Sequence, residues 1–192
     1  MSSILLVQAD PVALGYFNDL IGSSPTLAVS AAVSTLAEAR AAIAHRVPDL
    51  IVADLRLPDG PFVSLLEELG PSRSHVLVLA TTPRDPYLLH ALRHGADSYV
   101  ELGEPRAALL AAMHAALAGE STMAPSIAHK AIGHFAVSAA SLGEGEELLL
   151  QWLAAGSRPA EIAADLGISA RQVGVSVRAI YRKMQARWRE PR

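Results

Sequence analysis

Residues 48–60 read PDLIVADLRLPDG and contain an uninterrupted apolar run, 50–53, that is closed by Asp54. Apolar runs without polar alternation are typical of strands buried on both faces, as in a parallel sheet covered by helices. Similar runs occur at residues 4–7, 27–32, 76–80 and 98–100. Helix-like stretches alternate with them, at 11–22, 35–45, 61–69, 85–94 and 105–118. Five β–α repeats predict one doubly wound α/β domain with a five-stranded parallel sheet.

Prolines and a change of pattern mark the expected boundaries. Pro11, Pro61 and Pro105 stand where helices are expected to begin, because proline is tolerated in a first turn. After residue 119 the pattern weakens into small and polar residues, and beyond 141 no strand pattern appears. We therefore expect an α/β domain over 1–119, a linker with a short helix (126–134) over 120–141, and a small all-α domain over 142–192. Helices are predicted in that domain at 144–155, 159–165 and 169–188.

The composition excludes several classes of protein. Of the 192 residues, 51% are apolar and 18% charged, and none is cysteine. Disordered and collagen-like chains are therefore excluded, as are disulfide scaffolds, cysteine-ligated zinc and thiol catalysis. The longest apolar stretch, 107–118, is shorter than the roughly 18–20 residues of a membrane span. The first ten residues lack the basic segment of an export signal. We expect a cytoplasmic protein with no membrane contact.

Charge is distributed unevenly along the chain. The net charge is -3, yet residues 1–118 carry 7 basic and 12 acidic groups, whereas residues 156–192 carry 8 basic and 3 acidic groups. Such asymmetry suggests two modules, of which the basic one is a candidate for binding polyanions.

The basic module contains the spacing of two crossing helices. Ala163, Gly167 and Val173 supply a small residue for close helix approach, a turn residue that accepts positive φ, and an apolar residue for the core. In the helix that follows, four basic residues fall within about 40° of one another, and these are Arg171, Arg178, Arg182 and Arg189. A basic stripe of this kind neutralises phosphates on a duplex, although it also suits a merely solvated helix face.

Residues 161–184, EIAADLGISARQVGVSVRAIYRKM, resemble the DNA-binding helix-turn-helix of LuxR-type regulators, and the similarity covers about 142–185. The resemblance implies that residues 169–178 enter the major groove of double-stranded DNA and that the protein binds as a homodimer. The DNA-binding residues that it implies are Ser169, Arg171, Gln172, Val175, Ser176, Arg178, Arg182 and Lys183.

Some positions depart from the family pattern. Gly174 stands where the family usually has lysine, and a mid-helix glycine costs about 0.5–1 kcal/mol of helix stability. Gln172 and Ser176 replace the usual threonine and histidine. Gln172 follows Ser169 by three residues, so it suits a capping box as well as it suits adenine recognition. Because the sequence stops at Arg192, before the family's fourth helix, dimerisation through this domain is not expected.

The first 118 residues resemble the receiver domain of two-component response regulators in the NarL/FixJ arrangement, which implies a flavodoxin-like fold. PDLIVADLRLPDG matches the third strand and its loop and places Asp54 at the phosphoacceptor position. ALRHGADSYV, residues 91–100, matches the fourth helix and fifth strand and places Tyr99 at the switch aromatic position.

Phosphoryl transfer to an aspartate needs further acids that hold Mg²⁺ beside the acceptor. Where the family has paired acids after the first strand, this chain has Gln8 and Ala9, with Asp10 one residue later. A single acid is expected to bind Mg²⁺ too weakly to support the reaction.

The transferred group also needs a hydroxyl and a lysine. The hydroxyl position falls on Ala80, and only a one-residue bulge would bring the adjacent Thr81 into place. The lysine position falls on Leu102, and residues 1–118 contain no lysine. The phosphorylation pocket is therefore predicted to be degenerate, with Asp54 kept as a structural residue that accepts amide hydrogen bonds or pairs with Arg56 or Arg84.

These observations predict a DNA-binding transcriptional regulator, not an enzyme, whose receiver-like domain acts without phosphorylation. That domain would dimerise or bind a small-molecule or protein effector. One alternative is a phosphorylation-dependent regulator that uses Asp54 with Asp10 and Thr81. Another is a partner-binding antagonist with weakened DNA binding. His90 and His94 have the four-residue spacing of helical metal ligands, but no third ligand is suggested nearby, so no metal or cofactor site is predicted.

Overall fold

The computed structural model of the chain describes residues 1–69, 74–136 and 142–186. The strands in these ranges are β1 (Ser2–Val7), β2 (Leu27–Val33), β3 (Leu50–Asp54), β4 (Arg56–Leu57), β5 (Gly60–Pro61), β6 (His75–Ala80) and β7 (Ser98–Glu101). The helices are α1 (Pro11–Gly22), α2 (Leu36–His45), α3 (Val63–Leu69), α4 (Pro86–His94), α5 (Arg106–Leu117), α6 (Pro125–Ala136), α7 (Glu144–Ala154), α8 (Pro159–Leu166) and α9 (Ala170–Ala186).

Five strands form one parallel sheet in the order β2-β1-β3-β6-β7. The strand order reverses direction between β1 and β3, which makes this position the topological switch point of the sheet. Ligands of open α/β sheets bind at the carboxyl ends of the strands beside such a point. Asp54 is the last residue of β3 and pairs in register with Leu79 of β6. The predicted doubly wound five-stranded sheet is confirmed, and Asp54 lies at its ligand-binding edge.

Both faces of the sheet are covered. Alternate β1 residues enter different cores: Ile4 and Leu6 pack with side chains of α1 and α5, whereas Leu5 and Val7 pack with side chains of α2, α3 and α4. All four β1 residues are at most 1% exposed. Burial on both faces is the reason that these strands lack polar alternation in the sequence.

Proline and aspartate define most helix starts. Asp10 caps α1 ahead of Pro11, and Asp85 caps α4 ahead of Pro86, while Gly95 ends α4 with φ +128°. The prediction that Pro61 begins a helix is wrong, because Pro61 lies in β5. This strand pairs antiparallel with β4 in a short turn that the periodicity did not reveal, and α3 begins two residues later.

The C-terminal helices share a core with the α/β domain. Met123 and Ile127, from the segment predicted as a linker, belong to the same apolar cluster as Leu88 of α4, Leu149 of α7 and Tyr181 of α9. The end of the helix predicted over 169–188, with Trp188 and Arg189, lies outside the described residues. Within the described ranges, none of the helices combines the length and the apolar character needed to cross a bilayer.

Candidate functional site

Asp54 lies half-buried at the carboxyl edge of the sheet. Burial raises the pKa of its carboxyl above the ordinary value, while hydrogen bonds from the backbone amides of Arg56 and Leu55 and the charge of Arg56 oppose that rise. The charge of Asp85 raises the pKa further. The structural role that the sequence predicts for Asp54 stays a prediction.

Arg56 and Asp85 form an ion pair next to Asp54. Arg56 Nη1 lies 2.9 Å from Asp85 Oδ2, and Arg56 Nη2 lies 3.2 Å from Asp85 Oδ1. Asp85 is 5% exposed and also accepts a hydrogen bond of 2.9 Å from the Tyr87 amide at the start of α4. The Arg56 guanidinium stacks 4.8 Å from the centre of the Tyr87 ring. The partner of Arg56 in the ion pair is thus Asp85, which sequence analysis did not single out.

The residues at the end of β1 provide little anionic character for this edge. Gln8 is 2% exposed, and its side-chain oxygen accepts a hydrogen bond of 3.1 Å from the Asp10 amide. Asp10 is exposed, and its Oδ1 atom accepts hydrogen bonds from the amides of Val12 and Ala13 at 2.8 and 2.9 Å. The Asp10 carboxylate therefore serves as the cap of α1.

At the end of β6 the structure has an alanine, not a hydroxyl. Ala80 is buried and pairs in register with Glu101 of β7, whereas Thr81 is exposed beyond the strand. The Leu102 amide donates a hydrogen bond of 2.9 Å to the Ala80 carbonyl oxygen. The register therefore extends regularly to the end of β6.

Tyr99 points into the junction between the two parts of the chain. It is 6% exposed, and its hydroxyl accepts a hydrogen bond of 2.9 Å from the Ala124 amide. Burial raises the pKa of Tyr99 to about 12. The Tyr99 carbonyl oxygen accepts a bond of 3.2 Å from the Thr122 hydroxyl. The aromatic residue at the predicted switch position thus joins β7 to the segment that leads into α6.

The second part of the chain contains two crossing helices, α8 and α9. Gly167 ends α8 with φ +65°, in the left-handed conformation that glycine adopts without strain. Ala163 and Val173 are 6% and 1% exposed. These three residues occupy the positions that their spacing predicts for a helix-turn-helix.

A capping box begins the second of these helices. The Gln172 side-chain oxygen accepts hydrogen bonds from the Ser169 amide at 2.8 Å and from its hydroxyl at 3.0 Å, and the Gln172 amide donates to Ser169 Oγ at 3.2 Å. Gln172 therefore forms the capping box with Ser169 in this structure. Contact of Ser169 and Gln172 with DNA stays a prediction.

One face of α9 packs against the α/β domain. Positions 174, 178, 181 and 185 follow helical spacing, so they share this face, which we call the docking face. Gln185 Nε2 donates to the carbonyl oxygens of Leu92 and Ala96 at 3.0 Å each, and the Tyr181 hydroxyl donates to the Thr122 carbonyl oxygen at 2.8 Å. α9 is thus joined to the end of α4 and to the segment that follows α5.

The chain passes close to the docking face at Gly174. Its carbonyl oxygen accepts a hydrogen bond of 3.0 Å from the Ser121 amide. A Cβ atom at this position would lie 3.1 Å from Glu120 Cβ, tighter than ordinary van der Waals contact. The glycine that departs from the family pattern therefore stands where residues 120–121 approach the helix too closely for a larger side chain to fit without a shift.

Several basic residues of α9 are paired with acids. Arg178 is 6% exposed, with Nη2 at 2.6 Å from Asp97 Oδ1 and 3.2 Å from His75 Nδ1. Burial lowers the pKa of Arg178, an effect that the Asp97 charge opposes. Arg171 Nε lies 3.4 Å from Glu120 Oε1.

The other predicted DNA-binding residues differ in their surroundings. Lys183 pairs with Glu146 of α7. Val175 and Arg182 are exposed and Ser176 is partly buried. The structure thus does not present the predicted DNA-binding residues as one free surface, and their contact with DNA stays a prediction.

A cluster of possible metal ligands lies elsewhere, on the outer face of α3 and α4. The rings of His90 and His94 are 4.2 Å apart between centroids, and His94 Nε2 lies 3.3 Å from Glu67 Oε1. One ligand atom from each of the three residues lies within 4.8 Å of the others. The expectation that no third ligand is nearby is wrong, because Glu67 comes from the neighbouring helix α3.

The two parts of the chain match two family descriptions. Residues 4–114 match the response regulator receiver domain, and residues 140–190 match the bacterial regulatory proteins of the luxR family. The chain is a NarL/FixJ-type response regulator. In this response regulator α8 and α9 form the DNA-binding helix-turn-helix, and the assignment of Asp54 to the phosphoacceptor position stays a prediction.

Several relatives match this response regulator over both domains. The transcriptional regulatory protein DesR of Bacillus subtilis (strain 168) is 24% identical over 187 residues, which cover 97% of this chain and 92% of that protein. The transcriptional regulatory protein FixJ of Azorhizobium caulinodans is 33% identical over 143 residues, 71% of this chain and 64% of that protein. The crystal structure of the response regulator ChrA, from a heme-sensing two-component system, is 26% identical with a TM-score of 0.56 and covers 94% of this chain and 89% of that one. This response regulator is accordingly a DNA-binding transcriptional regulator.

The acids that hold α9 were not among the predicted site residues. Asp97 lies inside the quoted stretch ALRHGADSYV and Glu120 in the expected linker, yet both are remote in sequence from Arg178 and Arg171. The available signal was the charge asymmetry: an acidic first domain and a basic last segment in one chain are complementary to each other as well as to DNA.

Proposed function

We propose that this response regulator binds double-stranded DNA as a homodimer and that its receiver regulates DNA binding without phosphorylation of Asp54. One observation carries the proposal: two of the three carboxylates at this edge, Asp10 and Asp85, are engaged by groups of the protein, and the third, Asp54, lies beside the charge of Arg56. Asp10 caps α1, and Asp85 pairs with Arg56 and caps α4.

The engaged carboxylates argue against Mg²⁺ binding. Mg²⁺ requires near-octahedral oxygen coordination and is held by carboxylates that replace some of its waters. Here Gln8 and Ala9 contribute no charge at the end of β1, and the Arg56 guanidinium already neutralises Asp85. A phosphoryl donor that approaches Asp54 would therefore meet neither a divalent cation nor a lysine to offset its charge.

The docking face supports regulation through the arrangement of the two domains. Arg178 is buried against Asp97, and Arg171 pairs with Glu120, so the basic stripe of α9 cannot contact phosphates fully while α9 is docked. DNA binding in this proposal requires that α9 separate from α4 and from residues 120–122.

The docked arrangement leaves buried polar atoms without hydrogen-bond partners and a cavity unfilled. Both features favour the separation of α9 from the receiver. Within the described part of the chain, Arg178 Nε and Nη1 are buried without a hydrogen-bond partner. A cavity of about 110 Å³ also remains at the junction, lined in part by Ser98, Met123 and Val173. An effector of the receiver, a small molecule or a protein, would take the place of the phosphoryl signal by changing the balance between docked and separated states.

Incubation with acetyl phosphate and Mg²⁺ tests the proposal. Intact-mass measurement is expected to show no phosphorylated protein, and duplex affinity measured by fluorescence anisotropy is expected to stay unchanged. A phosphorylated species together with tighter DNA binding would contradict it. The double variant Gln8→Asp, Ala9→Asp is the matched control, because it restores the paired acids at the end of β1. It is expected to bind Mg²⁺ more tightly than the natural sequence, which we expect to bind more weakly than about 1 mM.

A second candidate function, a partner-binding antagonist that does not bind DNA, is favoured by the burial of Arg178. Duplex affinity as a function of salt concentration separates the two candidates. A transcriptional regulator loses affinity steeply with salt, because each phosphate contact releases counterions and contributes a slope of about -0.9. An antagonist shows no such slope.

A further inference from the structure

We propose that Glu67, His90 and His94 bind a transition-metal ion of the zinc class on the outer face of the receiver, between α3 and α4. The site does not involve Asp54 or the docking face, and it stands or falls independently of the proposed function. Two side chains come from successive turns of α4 and the third from α3, so a bound ion would link these two helices.

The spacing of the ligand atoms fits tetrahedral coordination. Zinc–nitrogen and zinc–oxygen bonds of about 2.0–2.2 Å place neighbouring ligand atoms of a tetrahedron about 3.3–3.5 Å apart. His94 Nε2 and Glu67 Oε1 are already 3.3 Å apart. The His90 ligand atom lies within 4.8 Å of both, and His90 is exposed, so a rotation of its side chain closes the remaining distance.

The ring orientation of His94 is fixed by a backbone hydrogen bond. Its Nδ1 atom lies 2.8 Å from the carbonyl oxygen of His90. A carbonyl oxygen only accepts hydrogen bonds, so Nδ1 is the donor, and Nε2, the atom that faces Glu67, is the one that would bind a metal in exchange for its proton. Metal-binding histidines usually donate their second ring N–H to such an acceptor, which fixes the ring orientation.

The charges around the cluster favour a cation with imidazole ligands. Glu67 supplies a negative charge, which offsets the opposing charge of Arg93. The adjacent Glu68 is held by Arg40, with bonds of 2.6 and 2.7 Å, and stays outside the site.

The donor set selects the class of metal. Two imidazoles and one carboxylate suit zinc, nickel and copper, whereas Mg²⁺ and Ca²⁺ prefer oxygen ligands alone. Three protein ligands leave the fourth tetrahedral position to water, as in zinc sites with two histidines and a glutamate. Zn²⁺ is therefore the expected ion, and Co²⁺ is its spectroscopic substitute.

Titration of the full-length, metal-free protein with Zn²⁺ by calorimetry tests the site. One ion is expected to bind per chain, and Glu67→Gln, His90→Gln and His94→Gln are each expected to weaken binding at least about tenfold. Co²⁺ is expected to give the visible absorption of tetrahedral coordination. Zn²⁺ at about 100 times its Kd is expected to raise the Tm by about 5–10 °C in the natural sequence.

His129→Gln is the matched control. His129 is also exposed on a helix, and its Nδ1 atom bonds the carbonyl oxygen four residues earlier, that of Pro125, at 2.8 Å. Among the described residues His129 belongs to no comparable ligand cluster, so its replacement is expected to leave Zn²⁺ affinity unchanged. Absence of binding overturns the proposal, as does equal affinity in Glu67→Gln and the natural sequence or weakening by His129→Gln alone. Glu67 and His90 are exposed, so their replacement leaves the fold intact.

Discussion

Arg178 of α9 lies 2.6 Å from the carboxylate of Asp97, the residue that precedes β7 in the receiver. The Asp97 carboxylate also accepts a hydrogen bond of 2.8 Å from the Val76 amide in β6. The ion pair therefore holds α9 against the parallel sheet. This is the helix with which the luxR family recognises DNA. One guanidinium thus cannot serve the domain junction and a DNA phosphate at the same time.

Replacement of Arg178 with alanine should lower stability and remove one contact with a DNA phosphate. Removal of one partner of a buried ion pair leaves the other charge uncompensated, which costs about 3 kcal/mol of unfolding free energy. Urea denaturation measures this loss, and anisotropy over a range of salt concentrations is expected to show a slope shallower by about 0.9, whatever the change in docking. Arg182→Ala, at an exposed position of the same helix, is the control and should change stability by less than about 0.5 kcal/mol. Equal destabilisation by the two variants would show that the Asp97 pair contributes nothing.

Gly174→Lys should favour the separated state and strengthen DNA binding. A side chain at this position meets Glu120 at 3.1 Å, and the added cation provides one further phosphate contact. Anisotropy measured over a range of salt concentrations should show tighter binding and a slope steeper by about 0.9.

Two alanine variants separate these effects. Gly174→Ala introduces the close contact with Glu120 without the charge, so it should tighten DNA binding with no change in salt slope. Gly15→Ala in α1 also replaces a helical glycine, but no atom lies within 4 Å of its added Cβ. An increase in DNA affinity with Gly15→Ala as large as with Gly174→Ala would refute the role of the close contact.

Asp54→Asn should stabilise the protein at neutral pH. Burial raises the pKa of Asp54 in the folded protein, so the folded state binds a proton more tightly than the unfolded state does. The contribution of Asp54 to stability is complete below its unfolded pKa of about 3.9 and is lost as the pH rises through the folded value. Urea denaturation at pH 7 should show a gain within about 1 kcal/mol, and the gain should vanish in acid.

Asp59→Asn provides a control of opposite sign. Hydrogen bonds from the Leu36 and Ala37 amides, at 2.8 and 3.0 Å, lower the pKa of Asp59. Its stabilising contribution is present above the unfolded pKa and is lost as the pH falls through the folded value. Asp59→Asn should therefore lower stability at neutral pH. A loss of stability at neutral pH with Asp54→Asn would contradict the inference that burial of the Asp54 carboxylate destabilises the folded protein.

Tyr99→Phe should destabilise the junction between the receiver and the C-terminal helices, because it removes one hydrogen-bond acceptor. The Ala124 amide then loses its hydrogen bond, at a cost of about 1 kcal/mol. Because burial raises the pKa of Tyr99 to about 12, the natural protein should lose stability as the pH rises from about 10, the value of a free phenol, through 12. The variant should lose less over that range in denaturation experiments. Tyr87→Phe, at an exposed tyrosine, is the control for the change in stability at neutral pH.

The sequence predicts the parts of this fold that depend on local patterns. The buried run 50–53, the prolines at the starts of α1 and α5, and the spacing of Ala163, Gly167 and Val173 all have a physical reason within one or two neighbouring elements. The β4–β5 turn was missed because two-residue strands leave no periodicity.

The rest depends on distant parts of the chain. Gly174 reads in the sequence only as a weakened helix, and its role as a close contact appears once Glu120 is placed against α9. Glu67 likewise joins His90 and His94 only through the packing of α3 on α4. Pairings between residues far apart in sequence follow from tertiary structure, which single-element patterns do not encode.

The hydrogen bonds of Gln185 have a consequence for the whole molecule. Its amide donates to the carbonyl oxygen of Leu92, in the last turn of α4, where a helix cannot satisfy its carbonyls internally, and to that of Ala96 just beyond the helix. In the separated state that we propose, water must take over these acceptors, so the free energy of the end of α4 differs between the two arrangements. By thermodynamic reciprocity, any agent that alters the last turn of α4 alters affinity for the promoter, and the promoter alters affinity for that agent by the same factor.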